Sequence, residues 1–390
     1  MTWTPSGRAR VNRKGAQRWL RGHPWIYRSD VLELPDSGPG IVHVFSEQNR
    51  LLGSALWSPR SQITLRMLTT DDEPIDASFW HSRVAHAAAY RQQLHIDASA
   101  FRLEHGEADG LPSLIVDRYD EVVVVQLLSA GLESCRADIV NALLDIVQPT
   151  GILARNDVTV RRAEGLTEEV ELLHGSVPEE LEIAENNIRY LAAPWRGQKT
   201  GAFLDQRENR IRSGSLSNGR ALDCFAYHGS FALHLAQRAD EVVAVDSSAA
   251  ALQRALQNAH LNSITNITTR EANVFDFLRA EESLGERYDT IVVDPPAFAK
   301  RRDALDKALA AYKEVNLRAL KLLNPGGYLA TFSCSHHVSA DLFREMINAA
   351  AIDARRPVRL IETRGQAADH PEILQIPESA YLKGVIVQVV

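Results

Sequence analysis

Two side chains that could do chemistry each stand at the end of an apolar stretch. Asp294 follows Thr290–Val293 and precedes two prolines, and Cys334 follows Ala330–Ser333. Consecutive prolines stiffen a turn and would hold the carboxylate in place. A thiolate that adds to carbon 6 of a pyrimidine makes carbon 5 nucleophilic, and a carboxyl of raised pKa can protonate ring nitrogen 3. The pair predicts nucleophilic catalysis on a pyrimidine; the alternative for the cysteine is a buried, inert thiol.

From about residue 186, apolar segments alternate with helical ones. Strands are predicted at Ala221–Phe225, Glu241–Asp246, Ile267–Glu271, Thr290–Asp294, Gly327–Ser333 and Val358–Thr363. Helices are predicted at Ala249–His260 and Ala304–Leu323, and a last strand within Ala380–Val390 would return antiparallel. This order predicts an α/β fold with a parallel, doubly wound sheet, and ligands bind at the carboxyl ends of such strands.

The loop after the first of these strands indicates the class of ligand. Asp246 ends the second strand, where an acid can hydrogen-bond the ribose hydroxyls of a nucleoside. Gly229 is the only glycine in Ala226–Ser230, whereas a dinucleotide pyrophosphate needs several. S-adenosylmethionine is therefore favoured over NAD or FAD, with Asn273 as a candidate adenine contact. The alternative for Asp246 is a helix N-cap.

Charge is distributed unevenly along the 390 residues. The net charge is −7, yet residues 1–70 hold ten Lys and Arg against four Asp and Glu. Basic residues interleaved with aromatic rings suit phosphate contacts and base stacking, although a solvated basic face is the alternative. The candidate RNA-binding residues are Arg8, Arg10, Arg13, Lys14, Arg18, Arg21, Trp25 and Arg28.

Breaks in the sequence pattern predict the domain organisation. We expect an N-terminal β-barrel over 1–73, a central α/β domain over 74–185 and the doubly wound domain over 186–390. No apolar run is long enough for a membrane helix, and no apolar signal core follows the basic start, so we expect a cytoplasmic protein. The three cysteines are widely spaced, and neither a disulfide framework nor a metal site is expected.

Several ordered motifs carry a resemblance to a known family. They are Arg21–Trp25, Glu104–Pro112 with Val116–Tyr119, Gly197–Arg207, Asp294–Phe298, Ser333–Ser335 and Tyr381–Gly384. On these motifs the chain resembles the ribosomal RNA large subunit methyltransferase I family over nearly its whole length. The resemblance implies a PUA domain for RNA binding, a central α/β domain and a class I methyltransferase domain, and it allows a homodimer.

The resemblance also implies which residues bind S-adenosylmethionine. It implies that Gln198 to Arg207 folds over the cofactor and that Cys334 is the nucleophile, whereas His228, Ser230 and Asn273 depart from the usual family pattern. The expected cofactor-binding residues are Gln198, Lys199, Thr200, Phe203, Asp205, Arg207, Asp223, Phe225, Tyr227, His228, Gly229, Asp246, Ser247, Asn273, Val274, Asp294 and Pro295.

The expected reaction is methylation of carbon 5 of a cytosine in large-subunit (23S) ribosomal RNA, with Cys334 and Asp294 as catalytic residues. Uracil or another RNA would suit the same thiolate chemistry. An exocyclic-amine methyltransferase is an alternative, because an acid or amide followed by Pro-Pro and an aromatic residue can hold an amino group. Here Ala297 stands between Pro296 and the aromatic Phe298, which disfavours that alternative. A nicotinamide-dependent oxidoreductase and a noncatalytic RNA-binding assembly protein are alternatives from other classes.

Overall fold

The structure is a computed structural model that describes residues 7–298 and 304–390, so the first six residues of the predicted N-terminal domain lie outside the described chain. The chain forms two compact units. One holds the chain up to Ile183, Ala192–Leu204 and Ala368–Ser379, and the other holds Ala184–Leu191, Asp205–Ala367 and Ala380–Val390. The boundaries predicted near residues 73 and 186 stay a prediction.

The first unit begins with a six-stranded sheet, which confirms the predicted N-terminal β domain. The strands are β1 (Arg8–Val11), β2 (Trp25–Tyr27), β3 (Val31–Glu33), β4 (Gly40–Phe45), β5 (Leu51–Trp57) and β6 (Ile63–Thr69). They pair in the order β2-β6-β5-β4-β1-β3. The basic stretch, to which the sequence pattern assigned no element, forms helix α1 (Arg13–Leu20), and the Asn12 side chain caps it by accepting from the Gly15 amide.

A five-stranded sheet follows in the same unit. It contains β7 (Ala100–His105), β8 (Leu114–Tyr119), β9 (Val122–Leu127), β10 (Gly151–Arg155) and β11 (Val170–Gly175), in the order β11-β10-β9-β8-β7. The helices are α2 (Ala77–Gln93), α3 (Ala130–Glu133), α4 (Arg136–Val147) and α5 (Val160–Glu164). Trp80, which is fully buried, packs in the core with Val84 and Leu143. This is the mixed α/β region that the sequence predicts.

The second unit is built on a seven-stranded sheet. Its strands are β14 (Arg220–Cys224), β15 (Glu241–Asp246), β16 (Ile267–Glu271), β17 (Tyr288–Val293), β18 (Leu323–Ser333), β19 (Val358–Arg364) and β20 (Lys383–Val389). The helices are α6 (Arg207–Leu216), α7 (Ser230–Leu235), α8 (Ala249–Leu261), α9 (Val274–Leu284), α10 (Leu305–Leu322) and α11 (Ala340–Ala354). A hairpin of β12 (Leu181–Glu185) and β13 (Ile188–Ala192) precedes them.

Sheet order and register in this unit fix where the strand ends meet. The order is β16-β15-β14-β17-β18-β20-β19, and the first five strands run parallel while β20 is antiparallel to both neighbours. The predicted doubly wound sheet and its antiparallel return strand are confirmed. Val293 of β17 lies opposite Thr331 of β18, so Asp294 and Cys334 leave neighbouring strands at the carboxyl edge.

Candidate active site

Asp223 is a buried carboxyl within β14 beside the predicted cofactor loop. Its Oδ2 accepts a 2.9 Å hydrogen bond from the Ala232 amide, and within the described chain its Oδ1 has no hydrogen-bond partner. Burial raises the pKa of Asp223 well above its usual range, and the charges of Asp294 and Asp246 add to this rise. Three carboxyl groups from three strands therefore act on one another at this edge.

The loop after β14 is held by Asp246 at the end of β15. The Asp246 Oδ2 accepts from the Tyr227 amide at 2.9 Å, and its Oδ1 accepts from the Ser248 amide at 2.9 Å. Helix α8 is capped by Ser248, so the alternative that Asp246 is the N-cap is wrong. Ser247, between the two, is exposed. A carboxylate has further acceptor sites, so Asp246 retains capacity for a ribose hydroxyl.

The loop itself has an unusual backbone. Phe225 and Tyr227 have φ of 65° and 47°, and Gly229 has φ of 76°. A Cβ at Gly229 would lie 2.7 Å from the Cβ of Ala255, so glycine is required at this close approach. The rings of Tyr227 and His228 stack with centroids 3.6 Å apart. The loop is thus shaped by its own packing.

Asn273 and Val274 serve helix α9. The Asn273 side-chain oxygen accepts from the Phe275 amide at 2.9 Å and caps the helix. Val274 is buried, and its side chain lies in the core beneath the sheet edge. The adenine contact predicted for this pair stays a prediction, and only the exposed amide group of Asn273 and the backbone remain available for it.

Asp294 is positioned by the chain on both sides of it. Pro295 is buried and Asp294 is half-buried at the end of β17. The Asp294 Oδ1 accepts a 2.9 Å hydrogen bond from Nε2 of Gln206, which is 3% exposed. Sequence reasoning did not assign Gln206 a role. The one sequence feature that could have pointed to Gln206 is its place in the motif Gly197–Arg207.

Cys334 is half-buried, whereas Cys135 and Cys224 are fully buried. Its neighbours Ser333 and Ser335 are fixed by Tyr312 of α10, whose OH lies 2.9 Å from each hydroxyl. Burial raises the pKa of Tyr312, and the charge of Cys334 adds to this rise. Cys334 is therefore partly accessible, and its two neighbours are held in place by hydrogen bonds. The alternative of a buried, inert thiol predicts neither feature.

The segment predicted to fold over the cofactor divides between the two units. In the first unit, Thr200 is buried, and its Oγ1 donates to Asp117 Oδ2 at 2.5 Å and lies 3.0 Å from the Tyr119 OH. Gln198 and Lys199 are exposed, and the Lys199 ammonium lies 4.6 Å from the centre of the Phe203 ring. Thr200 is thus a structural anchor, and its contact with a cofactor is left as a prediction.

In the second unit, Asp205 and Arg207 are both buried. The Asp205 Oδ2 accepts a 2.8 Å hydrogen bond from the OH of Tyr381, which ties this turn to the segment that enters β20. Arg207 begins α6, and its guanidinium lies 3.6 Å from the Glu208 carboxylate.

The candidate RNA-binding cations differ in how they are used within the first unit. Arg10 pairs with Glu33 at 3.1 Å and Arg18 pairs with Asp30 at 2.9 Å. The other five cations are exposed, namely Arg8, Arg13, Lys14, Arg21 and Arg28. Of these, Arg8 donates to the side-chain oxygen of Asn49, Lys14 lies 3.8 Å from the Asp30 carboxylate and Arg28 donates to the Pro59 carbonyl. The Trp25 indole donates to Glu107 at 2.8 Å and stays half-buried.

Comparison with known proteins identifies the family. A family description of a PUA-like domain matches residues 9–70, and one of an S-adenosylmethionine-dependent methyltransferase matches residues 153–387. The ribosomal RNA large subunit methyltransferase I of Shewanella frigidimarina is 41% identical over 96% of this chain and 98% of its own length. The chain belongs to this family. The protein of the same name from Tolumonas auensis is 41% identical over 95% of this chain and 96% of its own.

Solved structures agree on the fold of this methyltransferase. A SAM-dependent methyltransferase from Streptococcus mutans covers 98% of this chain and 100% of its own, with 20% identity and a TM-score of 0.82. A methyltransferase complexed with SAH covers the same shares with a TM-score of 0.85. The match of residues 153–387 to the S-adenosylmethionine-dependent methyltransferase family confirms the predicted cofactor.

The residues at the sheet edge fit this cofactor. S-adenosylmethionine carries a sulfonium and an ammonium, and the edge presents the carboxyl groups of Asp223, Asp246 and Asp294. The unpartnered buried Oδ1 of Asp223 is an acceptor that a cationic ligand group would satisfy. Across residues 7–298 and 304–390, no cluster of His, Cys, Asp or Glu could hold a metal ion. None of the described helices is long and apolar enough to cross a membrane.

Proposed function

We propose that this methyltransferase modifies carbon 5 of a cytosine in large-subunit ribosomal RNA through a covalent adduct with Cys334. The observation that carries the proposal is the register of β17 and β18, because it brings Asp294 and Cys334 to the same edge of the sheet. The curated relatives named as ribosomal RNA large subunit methyltransferases match over nearly the full length of the chain. Their name supports the choice of RNA.

The proposed chemistry uses the two side chains in sequence. The Cys334 thiolate forms a bond to carbon 6, the electrons of the 5,6 double bond move into the ring, and the Asp294 carboxyl gives its proton to nitrogen 3. S-adenosylmethionine supplies an electrophilic methyl group to carbon 5 and leaves as S-adenosylhomocysteine. Loss of the carbon 5 proton to solvent and breakage of the sulfur–carbon 6 bond return the thiolate, and nitrogen 3 returns its proton to Asp294.

The carboxyl groups at the edge would hold the cofactor. In this proposal Asp246 binds the ribose hydroxyls, Asp223 faces a cationic group of the ligand, and the loop 225–229 covers its amino-acid part. Gln198, Lys199, Phe203 and Arg207 remain proposed contacts. The target cytosine must leave its stack to expose the ring face to a thiolate, so an unpaired or loop nucleotide is the proposed target.

Mass spectrometry of nucleosides tests the proposal. Unmodified large-subunit ribosomal RNA is incubated with S-adenosylmethionine and intact protein, Cys334→Ala or the control Cys135→Ala, which changes a buried thiol of the first unit. New 5-methylcytidine with intact protein and the control, and none with Cys334→Ala, is the expected result. A methylated product that persists in Cys334→Ala would contradict the covalent route and point to amine chemistry. RNA that contains 5-fluorocytosine should trap the adduct, because the elimination step must remove a proton from carbon 5 and the fluorine there cannot leave as a cation.

A further inference from the structure

Lys383 is a buried cation that the proposed chemistry leaves unused. It begins β20, lies opposite Ser333 in the antiparallel pairing with β18, and is 8% exposed. Its Nζ donates to the Ser335 carbonyl at 2.6 Å and to the Tyr381 carbonyl at 3.0 Å. Ser335 is the residue after Cys334, so one of these bonds ties the ammonium to the backbone of the nucleophile turn. Tyr381, Lys383 and Ser335 all fall in motifs that the sequence singled out.

Within the described chain, the hydrogen-bond partners of the Lys383 ammonium are two backbone carbonyls. An ammonium has three donors, and two of them reach backbone carbonyls. Within residues 7–298 and 304–390, no carboxylate forms an ion pair with Lys383, although buried charges are ordinarily paired. Lys383 interacts electrostatically with Cys334 and with His336, and of these two only Cys334 can carry a negative charge. A thiolate at Cys334 would therefore supply the negative charge that this buried site lacks.

The other titratable groups around the pair are few. Burial lowers the pKa of Lys383 to about 8, and the charge of Cys334 opposes that drop. Burial also lowers the pKa of His336, and the positive charges of Lys383 and His337 lower it further. Tyr312 faces Cys334 from α10. Both shifts favour the neutral forms of His336 and Tyr312, whereas the Lys383 ammonium is bonded to the backbone of the turn that carries the thiol.

We propose that the Lys383 ammonium holds Cys334 as a thiolate in the resting enzyme and is thus a positioning residue for the nucleophile. The inference rests on the proposed function, since it assigns Lys383 to the reaction that Cys334 starts. An unperturbed thiol is only a few per cent ionised at pH 7, and a neighbouring lysine raises that fraction. The two carbonyl bonds keep the ammonium in place without neutralising it, so its charge acts on the sulfur.

The first test measures the thiolate directly. The full-length protein, without RNA or cofactor, is alkylated with iodoacetamide between pH 5.5 and 10, and the modified peptide that contains Cys334 is quantified by mass spectrometry. Lys383→Met and Lys383→Gln should move the midpoint of the pH–rate profile upward by about one unit and slow alkylation at pH 7 by about tenfold. Lys383→Arg should stay close to the parent profile, because it keeps the charge.

The controls separate charge from folding. Lys313→Met removes an exposed lysine of α10 that pairs with Asp353 at 2.7 Å, and its profile should match the parent. Lys383→Gln keeps N–H donors for the two carbonyls, so it serves if Lys383→Met does not fold. S-adenosylmethionine binding by calorimetry checks that each variant is folded. An unchanged profile in folded Lys383→Gln would overturn the inference.

The same variants distinguish this inference from the proposed function. If the profile shifts while Cys334→Ala still makes product, the ammonium–thiolate pair stands and the nucleophile assignment falls. If Cys334→Ala is inactive and the Lys383 variants alkylate normally, this inference alone falls. If Lys383→Gln alkylates normally but accumulates the adduct on cytosine-containing RNA, Lys383 removes the carbon 5 proton instead, and the inference is overturned.

Discussion

Gln206 donates a hydrogen bond of 2.9 Å from its Nε2 to the Oδ1 of Asp294. Asn209, one turn along the chain, donates to the Gln206 Oε1 at 2.6 Å and to the Gly365 carbonyl at 2.9 Å. The amide of Gln206 is therefore fixed in orientation, with its N–H toward the carboxyl. This arrangement holds Asp294 in one rotamer beside the strand that carries Cys334.

Replacing Gln206 should reduce turnover more than cofactor binding. Gln206→Ala removes the hydrogen bond that orients Asp294, so we expect kcat to fall by about tenfold, the size of one side-chain hydrogen bond. The affinity for S-adenosylmethionine should stay within about threefold of the parent. Steady-state kinetics on ribosomal RNA and calorimetry give the two numbers. Gln237→Ala, at an exposed site, is the control. Equal losses in kcat and cofactor affinity would show that Gln206 serves the cofactor site instead.

Asp223 should control cofactor affinity and its dependence on pH. Its pKa is raised in the free protein, and a cationic ligand would lower it again, so binding should release a proton and affinity should rise with pH. We expect Asp223→Asn to weaken S-adenosylmethionine binding by about tenfold or more and to flatten that pH dependence. Calorimetry from pH 5 to 8 measures both. The exposed Asp240→Asn is the control, and an unaltered affinity in Asp223→Asn would place the cationic group elsewhere.

Two exposed arginines of the N-terminal domain that lack a carboxylate partner in the described chain should carry part of the RNA affinity. Arg21 and Arg28 are exposed, and within the described residues no carboxylate lies in ion-pair range of either, whereas Arg10 pairs with Glu33 at 3.1 Å. Arg21→Ala and Arg28→Ala should each weaken RNA binding and reduce the slope of log K against log salt by roughly 0.7 to 1. Arg10→Ala should change the slope less. Filter binding across a salt series measures this, and three equal slopes would contradict the assignment.

Glu104 should make the protein less stable as pH rises. It is fully buried in the first unit, both carboxyl oxygens lack partners within the described residues, and burial together with the Asp109 charge raises its pKa well above 4.5. The folded state then holds a proton that the unfolded chain loses, so the free energy of unfolding falls as pH rises from about 4.5 through the folded pKa.

Glu104→Gln has no proton to lose and should remove this part of the pH dependence of the free energy of unfolding. The midpoint of thermal unfolding at pH 5 and at pH 8 should differ less in Glu104→Gln than in the parent. Glu121→Gln, at an exposed site, should keep the parental difference. A variant with the same pH dependence as the parent would mean that Glu104 is ionised in the folded protein.

The elements of the second unit could be predicted because their signal is local. The strands Glu241–Asp246 and Ile267–Glu271 have the predicted bounds, since each is an apolar or β-branched run between polar breaks. The acid at the end of β15 and the single glycine of the preceding loop were sufficient to favour S-adenosylmethionine. Helix α1 was missed because a segment of eight residues with three basic side chains was interpreted for its charge alone. Its buried residues Ala16 and Trp19 are nevertheless three positions apart, and the Asn12 cap and packing on the sheet stabilise the helix.

Side chains with two plausible roles could not be assigned from the sequence. Thr200 donates to Asp117 and Asn273 caps α9, and neither partner choice follows from the motif in which the residue stands. A hydroxyl or amide bonds whichever group the fold brings within 3 Å, and short polar side chains compete for nearby backbone groups. The presence of Thr200 or Asn273 in a motif therefore does not by itself show that the residue contacts the cofactor.

The sequence by itself determined the fold class and the cofactor class, because apolar periodicity and residue type are properties of short segments. It also predicts the two reactive side chains, Asp294 and Cys334, from their places at strand ends. The tertiary structure decided which distant residues serve those side chains. Gln206 reaches Asp294, and Lys383 reaches the turn of Cys334 through the register of β20 on β18. Register depends on how whole strands pair across the sheet, and a shift of one residue would turn Lys383 to the opposite face.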